Sequence, residues 1–473
     1  MNGLMRRKSV SLEALHPDHR LKPSLSWWHL IPLGVGAIVG TGIYTLTGVG
    51  ANLAGPAVIL SFLIAGAVCA CAALAYAEVA TLMPASGGAY TYTYAVVGEV
   101  VAWVVGWSLL LEYSVGTSAV AVGWAGYATG FLSAIGVHLP QALTAGLLAG
   151  GLVNLPAVLI VFVIAFLLML GTRESATVNA VLVVIKVAAL ALFIAVAAPR
   201  MDAANFHPFM PYGLAAHPID GVKHGVMAAA AIIFFAFYGF DTLSTAAEET
   251  KNPGRDLPIG IIGSMLVCTA IYIAVAASAV GAVSFKAFAG SPEPLALILR
   301  QLGHGQAAIV IGAAAVIALP TVILAFLYGQ SRIFFVMARD GLLPQGLSKV
   351  HARTKVPVRM TIVTAICVAA LAGLAPLDQI ASLANTGTLT AFVAVSACLL
   401  ILRRREPDLP RIYRTPLAWV VAPGAILGCL YLFWSLPTKT RVFFLIWNLL
   451  GLVVYALWRW RKPQVAEPET AAT

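Results

Sequence analysis

Twelve apolar stretches run through this chain, and the polar segments between them are too short to build a water-facing domain. They cover roughly 28–50, 56–83, 98–131, 149–170, 176–198, 221–247, 257–283, 306–336, 357–375, 377–402, 416–436 and 441–459. About 20 apolar residues suffice to cross a bilayer as a helix. Helices satisfy their own backbone groups in hydrocarbon, which open strands cannot do. The composition agrees: 60% of the residues are hydrophobic and 10% charged, against about a quarter charged in soluble chains. The expected fold class is an all-α integral membrane protein of twelve transmembrane helices. No cleavable signal peptide is indicated at the start.

The net charge of +10 reads as topology. Of the 29 basic residues, 22 fall on one side when successive segments are assigned alternately, starting inside: five from Arg6 to Lys22, Arg173, Lys251, Arg255, six from Arg332 to Arg359, five from Arg403 to Arg414, and Arg459, Arg461 and Lys462. By the positive-inside rule both termini are cytoplasmic. The expected location is the cytoplasmic membrane, with lipid as surrounding partner. Once the loops are assigned, no basic surface with interleaved aromatics remains, so a nucleic-acid partner is not expected. The six cysteines (Cys69, Cys71, Cys268, Cys367, Cys398, Cys429) all lie in spans and read as small buried residues, not as a disulfide framework or metal site.

Two spans are not continuous in character. Span 1 holds GAIVGTGIY (36–44), and span 6 holds FFAFYGFDTLSTAAEE (234–249) with Gly239 and Asp241 at membrane depth. Clustered glycines weaken a helix by about 1 kcal/mol each relative to alanine. Unwound backbone is tolerated in hydrocarbon only against protein or a water-filled cavity. Taken alone, the spacing of Gly36 and Gly40 also fits close helix packing. Matched interruptions five spans apart, in units begun in opposite orientations, point to a transporter's binding site at an inverted repeat.

Besides Asp241, two charged residues lie deep inside spans. Lys186, in VLVVIKVAAL (181–190), is ten residues into its span and too deep to snorkel comfortably. A group that can lose and regain a proton there is a proton-coupling candidate, and static pairing with Glu112 or a backbone carbonyl is the competing role. Glu112, in GWSLLLEY, is costly unpaired in a bilayer and hence functional by default; it either lines the side-chain end of a pocket or pairs with a neighbour. Glu78, Glu248 and Glu249 stand near span ends, where structural and gating roles are equally open. A channel would favour a continuous polar stripe over several spans, which is missing. An intramembrane enzyme would need a nucleophile–base or metal constellation. The histidines lie mostly at span ends or in loops, and no H-E-x-x-H or G-x-S-x-G occurs, so neither an enzyme nor a metal site is expected.

Six motifs in order carry a family resemblance: GAIVGTGIY; AEVATLMPASGGAYTYTY (77–94); GWSLLLEY (106–113); ESATVNAVLVVIKVAAL (174–190); FFAFYGFDTLSTAAEETKNPGRDLP (234–258); and SRIFFVMARDGLLP (331–344). From about residue 26 to 460 the chain resembles the amino acid–polyamine–organocation superfamily of permeases, in its bacterial branch like the cationic amino acid transporters. The resemblance implies a LeuT-type fold with 5+5 inverted repeats, discontinuous spans 1 and 6 and two peripheral spans. The divisions would be a cytoplasmic lead (1–26), a first repeat (27–200), a second repeat (201–405), spans 11 and 12 (406–461) and a cytoplasmic tail (462–473). It also implies secondary amino acid transport by alternating access, as proton symport or as exchange without a proton; a non-transporting sensor or channel is the remote third reading.

For a zwitterionic substrate, a broken helix offers both poles. The new N-terminus presents free N–H groups for the carboxylate: Gly40, Thr41 and Gly42, with the Thr41 hydroxyl as helper. The new C-termini present free carbonyls for the ammonium: Ala37 and Ile38, with Phe235, Ala236 and Tyr238 in span 6. Gly40 and Gly42 are expected to be glycines because a side chain would block close approach. The resemblance makes Phe235 a gate over the substrate, and Asp241 a support of the second break. In sodium-coupled relatives of this fold, span 5 borders a sodium site built from span 1 and span 8 oxygens. Lys186 reaching that place would replace the ion, so a proton and no sodium is expected, and no cofactor. Whether a small single-span accessory subunit attaches is left open.

Overall fold

The computed structural model describes residues 25–83, 87–170, 176–241, 243–244, 250–344 and 358–461. The polar lead, the tail and the pair Glu248–Glu249 lie outside the described residues, apart from the last residues of the lead. The chain runs α1 (Trp27–Ile38), α2 (Thr41–Ala54), α3 (Val58–Leu82), α4 (Gly88–Val96), α5 (Glu99–Ala134), α6 (Gln141–Thr144), α7 (Leu155–Met169) and α8 (Ala176–Ala197). A short hairpin follows, β1 (His217–Ile219) and β2 (Val222–His224), then α9 (Val226–Ile233) with a 3-10 turn at Phe234–Phe237. The rest is α10 (Pro253–Ala282), α11 (Pro294–Gln301), α12 (Gly305–Ala318), α13 (Pro320–Arg339), α14 (Val358–Leu374), α15 (Leu377–Arg405), α16 (Ala418–Ser435) and α17 (Thr438–Arg461). Among the described residues, eight helical stretches are long and apolar enough to cross a membrane, and four shorter apolar helices, α1, α7, α9 with its 3-10 turn, and α14, add to them. The protein is a mostly helical, multi-span membrane fold.

The long α5 is the axis. α15, α13, α12, α4, α14 and α7 pack around it, while α1 lies on α10 and α10 on α3. Small residues allow these approaches, as expected where lipid offers no hydrophobic drive between helices. A Cβ on Gly123 would stand 2.0 Å from Thr41 Cγ2, and one on Gly387 of α15 would stand 2.6 Å from Glu112 Cβ.

The helices differ locally from the expected spans. Span 8 is divided by Pro320 into α12 and α13. Proline has no N–H to give the carbonyl four residues back, and Trp124 Nε1 serves Val316 O instead, at 2.9 Å. Residues 84–97, which the sequence reads as a partly amphipathic cytoplasmic segment, contain α4, which is buried nearly all round. Its tyrosines make this possible, since their rings fill the core and two of the three hydroxyls find acids: Tyr90 to Asp340 at 3.1 Å and Tyr94 to Glu99 at 3.2 Å.

One end of the bundle is held by ions. Glu78, fully buried, receives Arg403 Nε at 2.8 Å and Nη2 at 2.7 Å, Arg411 Nε at 3.1 Å and the Thr415 N–H at 2.6 Å. The ambiguous Glu78 is thus the anchor of the α15–α16 connection on α3. Nearby, Glu99 receives Tyr455 OH at 2.7 Å and Arg459 Nη1 at 3.3 Å from α17.

Candidate functional site at two broken helices

α1 stops at Ile38. Val39 (φ −72°, ψ 96°) and Gly40 (φ −142°, ψ −155°) are extended, and α2 restarts at Thr41. No side chain caps the start of α2, so the first-turn N–H groups of Thr41, Gly42 and Ile43 have no intrahelical acceptor. The second break follows the 3-10 turn: Tyr238 is extended (ψ 140°) and Gly239 has φ +114°. Only glycine takes that conformation cheaply. It also lets the two breaks touch, because a Cβ on Gly239 would come within 2.7 Å of Ala37 O.

The structure assigns the two span 1 glycines different neighbours. A Cβ on Gly42 would lie 2.3 Å from Ala236 Cα, so its bareness serves the contact between the two broken spans. A Cβ on Gly40 would meet nothing nearer than Val322 Cγ2 at 3.5 Å, ordinary contact. The expected reason for both glycines, close approach of a substrate, therefore does not account for Gly42. The Thr41 hydroxyl is turned to Val120 O on α5, 3.4 Å away.

The carbonyls at the breaks are not bare. Tyr272 OH, from α10, lies 2.8 Å from Ile38 O and 2.9 Å from Ala236 O, bridging the two broken spans with one hydroxyl. In the sequence Tyr272 was one tyrosine in an apolar span; its only signal was a buried hydroxyl needing an acceptor. Asn385 on α15 caps the end of α9, donating to Ala231 O at 2.7 Å and Ile232 O at 3.0 Å. The polar run LANTGTLT in span 10 was a readable sign of it.

Lys186 lies on α8, 1% exposed. Its Nζ is 3.2 Å from Gly36 O, near the end of α1, and 3.1 Å from Thr321 Oγ1, just past Pro320 on α13. The lysine thus faces oxygens of spans 1 and 8. Thr321 passes its own proton to Ala318 O at 2.8 Å, a carbonyl beside the Pro320 interruption. Tyr44 OH on α2 donates to Lys186 O at 2.9 Å, and Tyr127 OH on α5 donates to Tyr44 O at 2.7 Å. The surroundings of the ammonium are therefore tied to α1, α2, α5 and α13.

An aromatic wall closes the other side. Phe235 and Tyr238 stack with centroids 6.0 Å apart; Phe326 of α13 meets Tyr238 edge-on at 4.6 Å, and Tyr113 of α5 meets both Tyr238 and Phe326. Glu112 is not joined to Lys186. It is 1% exposed and lies against Gly387 of α15, with Thr388 of α15 and Tyr238 of the second break beside its carboxylate. Asp241 follows the second break, and its carbonyl accepts from Ser244 Oγ. The arrangement brings together Ala37, Ile38, Gly42, Ala236 and Gly239, with Lys186 on the flank of α1, and sets Glu112 apart behind Tyr238.

Uncapped helix ends buried in a helical membrane protein, with an ammonium held beside them, define a carrier for small molecules. The amino acid permease family model matches residues 25–457, and the chain belongs to that family. It is 48% identical to the branched-chain amino acid permease BcaP of Bacillus subtilis (strain 168), over 96% of this chain and 97% of that one. It is 40% identical to a methylthioribose transporter of the same organism, over 97% and 98% of the two chains. The vacuolar cationic amino acid transporter 4 of Arabidopsis thaliana is 38% identical, over 86% of this chain and 68% of that protein. The relatives are transporters, and the protein is a membrane transporter, not an enzyme.

Proposed function

We propose that the chain is a proton-coupled symporter of neutral, apolar L-amino acids, working by alternating access in the cytoplasmic membrane with both termini inside. The substrate carboxylate takes the first-turn N–H groups of α2 around Gly40, Thr41 and Gly42, where the helix dipole adds about half a positive charge. Its ammonium takes carbonyls among Ala37, Ile38, Phe235, Ala236 and Tyr238, sharing Ile38 and Ala236 with the Tyr272 hydroxyl. Phe235 gates, and Asp241 supports the second break. Spans 1–5 and 6–10 act as inverted repeats of the LeuT type. The apolar wall of Phe235, Phe326 and Tyr113 supports an apolar side chain, as does the similarity to BcaP.

One observation carries the coupling: Lys186 Nζ between Gly36 O and Thr321 Oγ1. A charged ammonium binds both oxygens and complements the negative end of the α1 dipole. Loss of the proton weakens the link between α1 and α13, so the charge state biases the position of span 1. Sodium is not required, because the ammonium occupies the place between those spans. The test is leucine uptake into proteoliposomes under an imposed pH gradient. Accumulation above the external level is expected for the wild type and lost in Lys186→Ala. Accumulation that persists in Lys186→Ala overturns the coupling, and an exchanger would show no net accumulation without internal substrate.

A further inference from the structure

Glu112 lies outside the coupling just described, and its surroundings contain unmet polar valence. Its Oε2, Tyr238 OH and Thr388 Oγ1 close no hydrogen bond, although the two hydroxyls face the carboxylate. All three residues are at most 4% exposed. The same holds for Asn385 Oδ1 and Ser396 Oγ on α15 and for Tyr92 OH on α4. Asn385, Thr388, Phe392 and Ser396 are spaced i, i+3, i+7 and i+11, so they share one face of α15. Buried polar atoms are satisfied with few exceptions, and internal water is the usual partner where protein is not. Six such oxygens along one helix interface form a polar seam.

The seam leads from Glu112 toward the ion-paired end of the bundle. Phe392 interrupts it, with ring centroids 5.5 Å from Tyr76 and 4.9 Å from Phe240. The titratable groups facing Glu112 are Tyr76 from α3, Tyr113 from α5 and Tyr238 and Asp241 from the broken span. None is a cation, Asp241 repels a bare carboxylate, and no basic side chain pairs with Glu112 among the described residues.

We propose that Glu112 is a second proton-binding site of the carrier, separate from Lys186 and served by water held along the α15 seam. The Oε2 atom takes the proton, the neutral carboxyl donates to Thr388 Oγ1 or Tyr238 OH, and the proton leaves past Tyr76 and Phe392 toward Tyr92 and Ser396. This rests on the transport reading above. Both are tested with full-length protein in proteoliposomes, by measuring the proton-to-leucine ratio from the reversal potential of leucine flux. A wild type that moves no leucine refutes the transport reading before any ratio is taken. With transport present, Glu112→Gln lowers the ratio by one proton per leucine at whatever rate remains, and an unchanged ratio overturns the proposal. Should Glu112→Gln be inactive, infrared difference spectra of the wild type between acid and alkaline buffer decide. A protonated-carboxyl carbonyl band that shifts in Thr388→Val or in Tyr238→Phe supports the site, and a band insensitive to both substitutions overturns it.

Discussion

The Lys186 ammonium sits 3.2 Å from the Gly36 carbonyl and 3.1 Å from the Thr321 hydroxyl, so one charge joins the end of α1 to the start of α13. Thr321→Val keeps the side-chain shape and removes one of these acceptors. A hydrogen bond to a charged group is worth about 1.5–3 kcal/mol, and one pH unit corresponds to about 1.4 kcal/mol. The half-maximal pH of gradient-driven leucine uptake should therefore move toward acid by about one unit. An unchanged pH profile would show that Thr321 does not hold the charged form.

Tyr272→Phe tests the bridge between the breaks. The ring stays packed against Phe237 and Phe62, with centroids 5.2 and 5.8 Å away. The hydroxyl shared by Ile38 O and Ala236 O is lost. Unmet buried groups cost about 1–3 kcal/mol, here set against the relative position of the two broken spans. Apparent leucine affinity should fall about tenfold, equivalent to about 1.4 kcal/mol, together with a lowered melting temperature. An unaltered affinity in a binding titration would leave Tyr272 as packing only.

The apolar helical runs and the two breaks were legible because each is a one-dimensional property: run length and glycine density. What Lys186 touches was not, since Thr321 and Gly36 are 135 and 150 residues away from it. Tyr272 was illegible for a related reason. A tyrosine in an apolar span gives no sign of which carbonyl it meets, and here it meets two on different spans. The contact of Gly42 with Ala236 was not legible, because the sequence shows a missing side chain but not what lies against it. The placement of α4 was obscured by its threonines and tyrosines, whose polar atoms suggest a surface while their bodies bury.

The two glycines of the first break should separate stability from binding. Gly42→Ala drives a methyl into the Ala236 backbone at 2.3 Å, where neither helix can yield cheaply. Overpacking costs about 1–3 kcal/mol, and a clearly lowered melting temperature in detergent is expected. Gly40→Ala meets Val322 at an ordinary 3.5 Å and its φ of −142° suits any residue. It should melt like the wild type while binding leucine more weakly, because its methyl stands at the proposed carboxylate site. Equal melting of the two variants would contradict the packing argument.

Glu78→Ala should be the most destabilising single change at the ion-paired end. Arg403 and Arg411 both point at this carboxylate, and Arg411 is itself only 4% exposed. Removing one partner of a buried pair costs about 3–5 kcal/mol, because the remaining charge is stranded. Arg403→Ala should cost less, since Arg411 and the Thr415 N–H still hold Glu78. The order of melting temperatures, wild type above Arg403→Ala above Glu78→Ala, checks it, and a reversed order would place the anchor on Arg403.

Glu293, in the connection between α10 and α12, gives a pH dependence with a definite sign. Burial raises its carboxyl above the ordinary range, and Arg300 opposes this incompletely. The folded state then binds the proton more tightly than the unfolded chain. The stability this contributes is fully present below the ordinary carboxylate pKa of about 4.3, and it is lost as the pH rises through the raised folded value. Glu293→Gln is neutral at every pH and lacks this slope. The melting temperature of the wild type minus that of Glu293→Gln should therefore fall as pH increases from about 4 to about 7. A difference that grows with pH would mean that the ion pair with Arg300 outweighs the burial of Glu293 against Gly130, where an added Cβ would overlap its carboxylate.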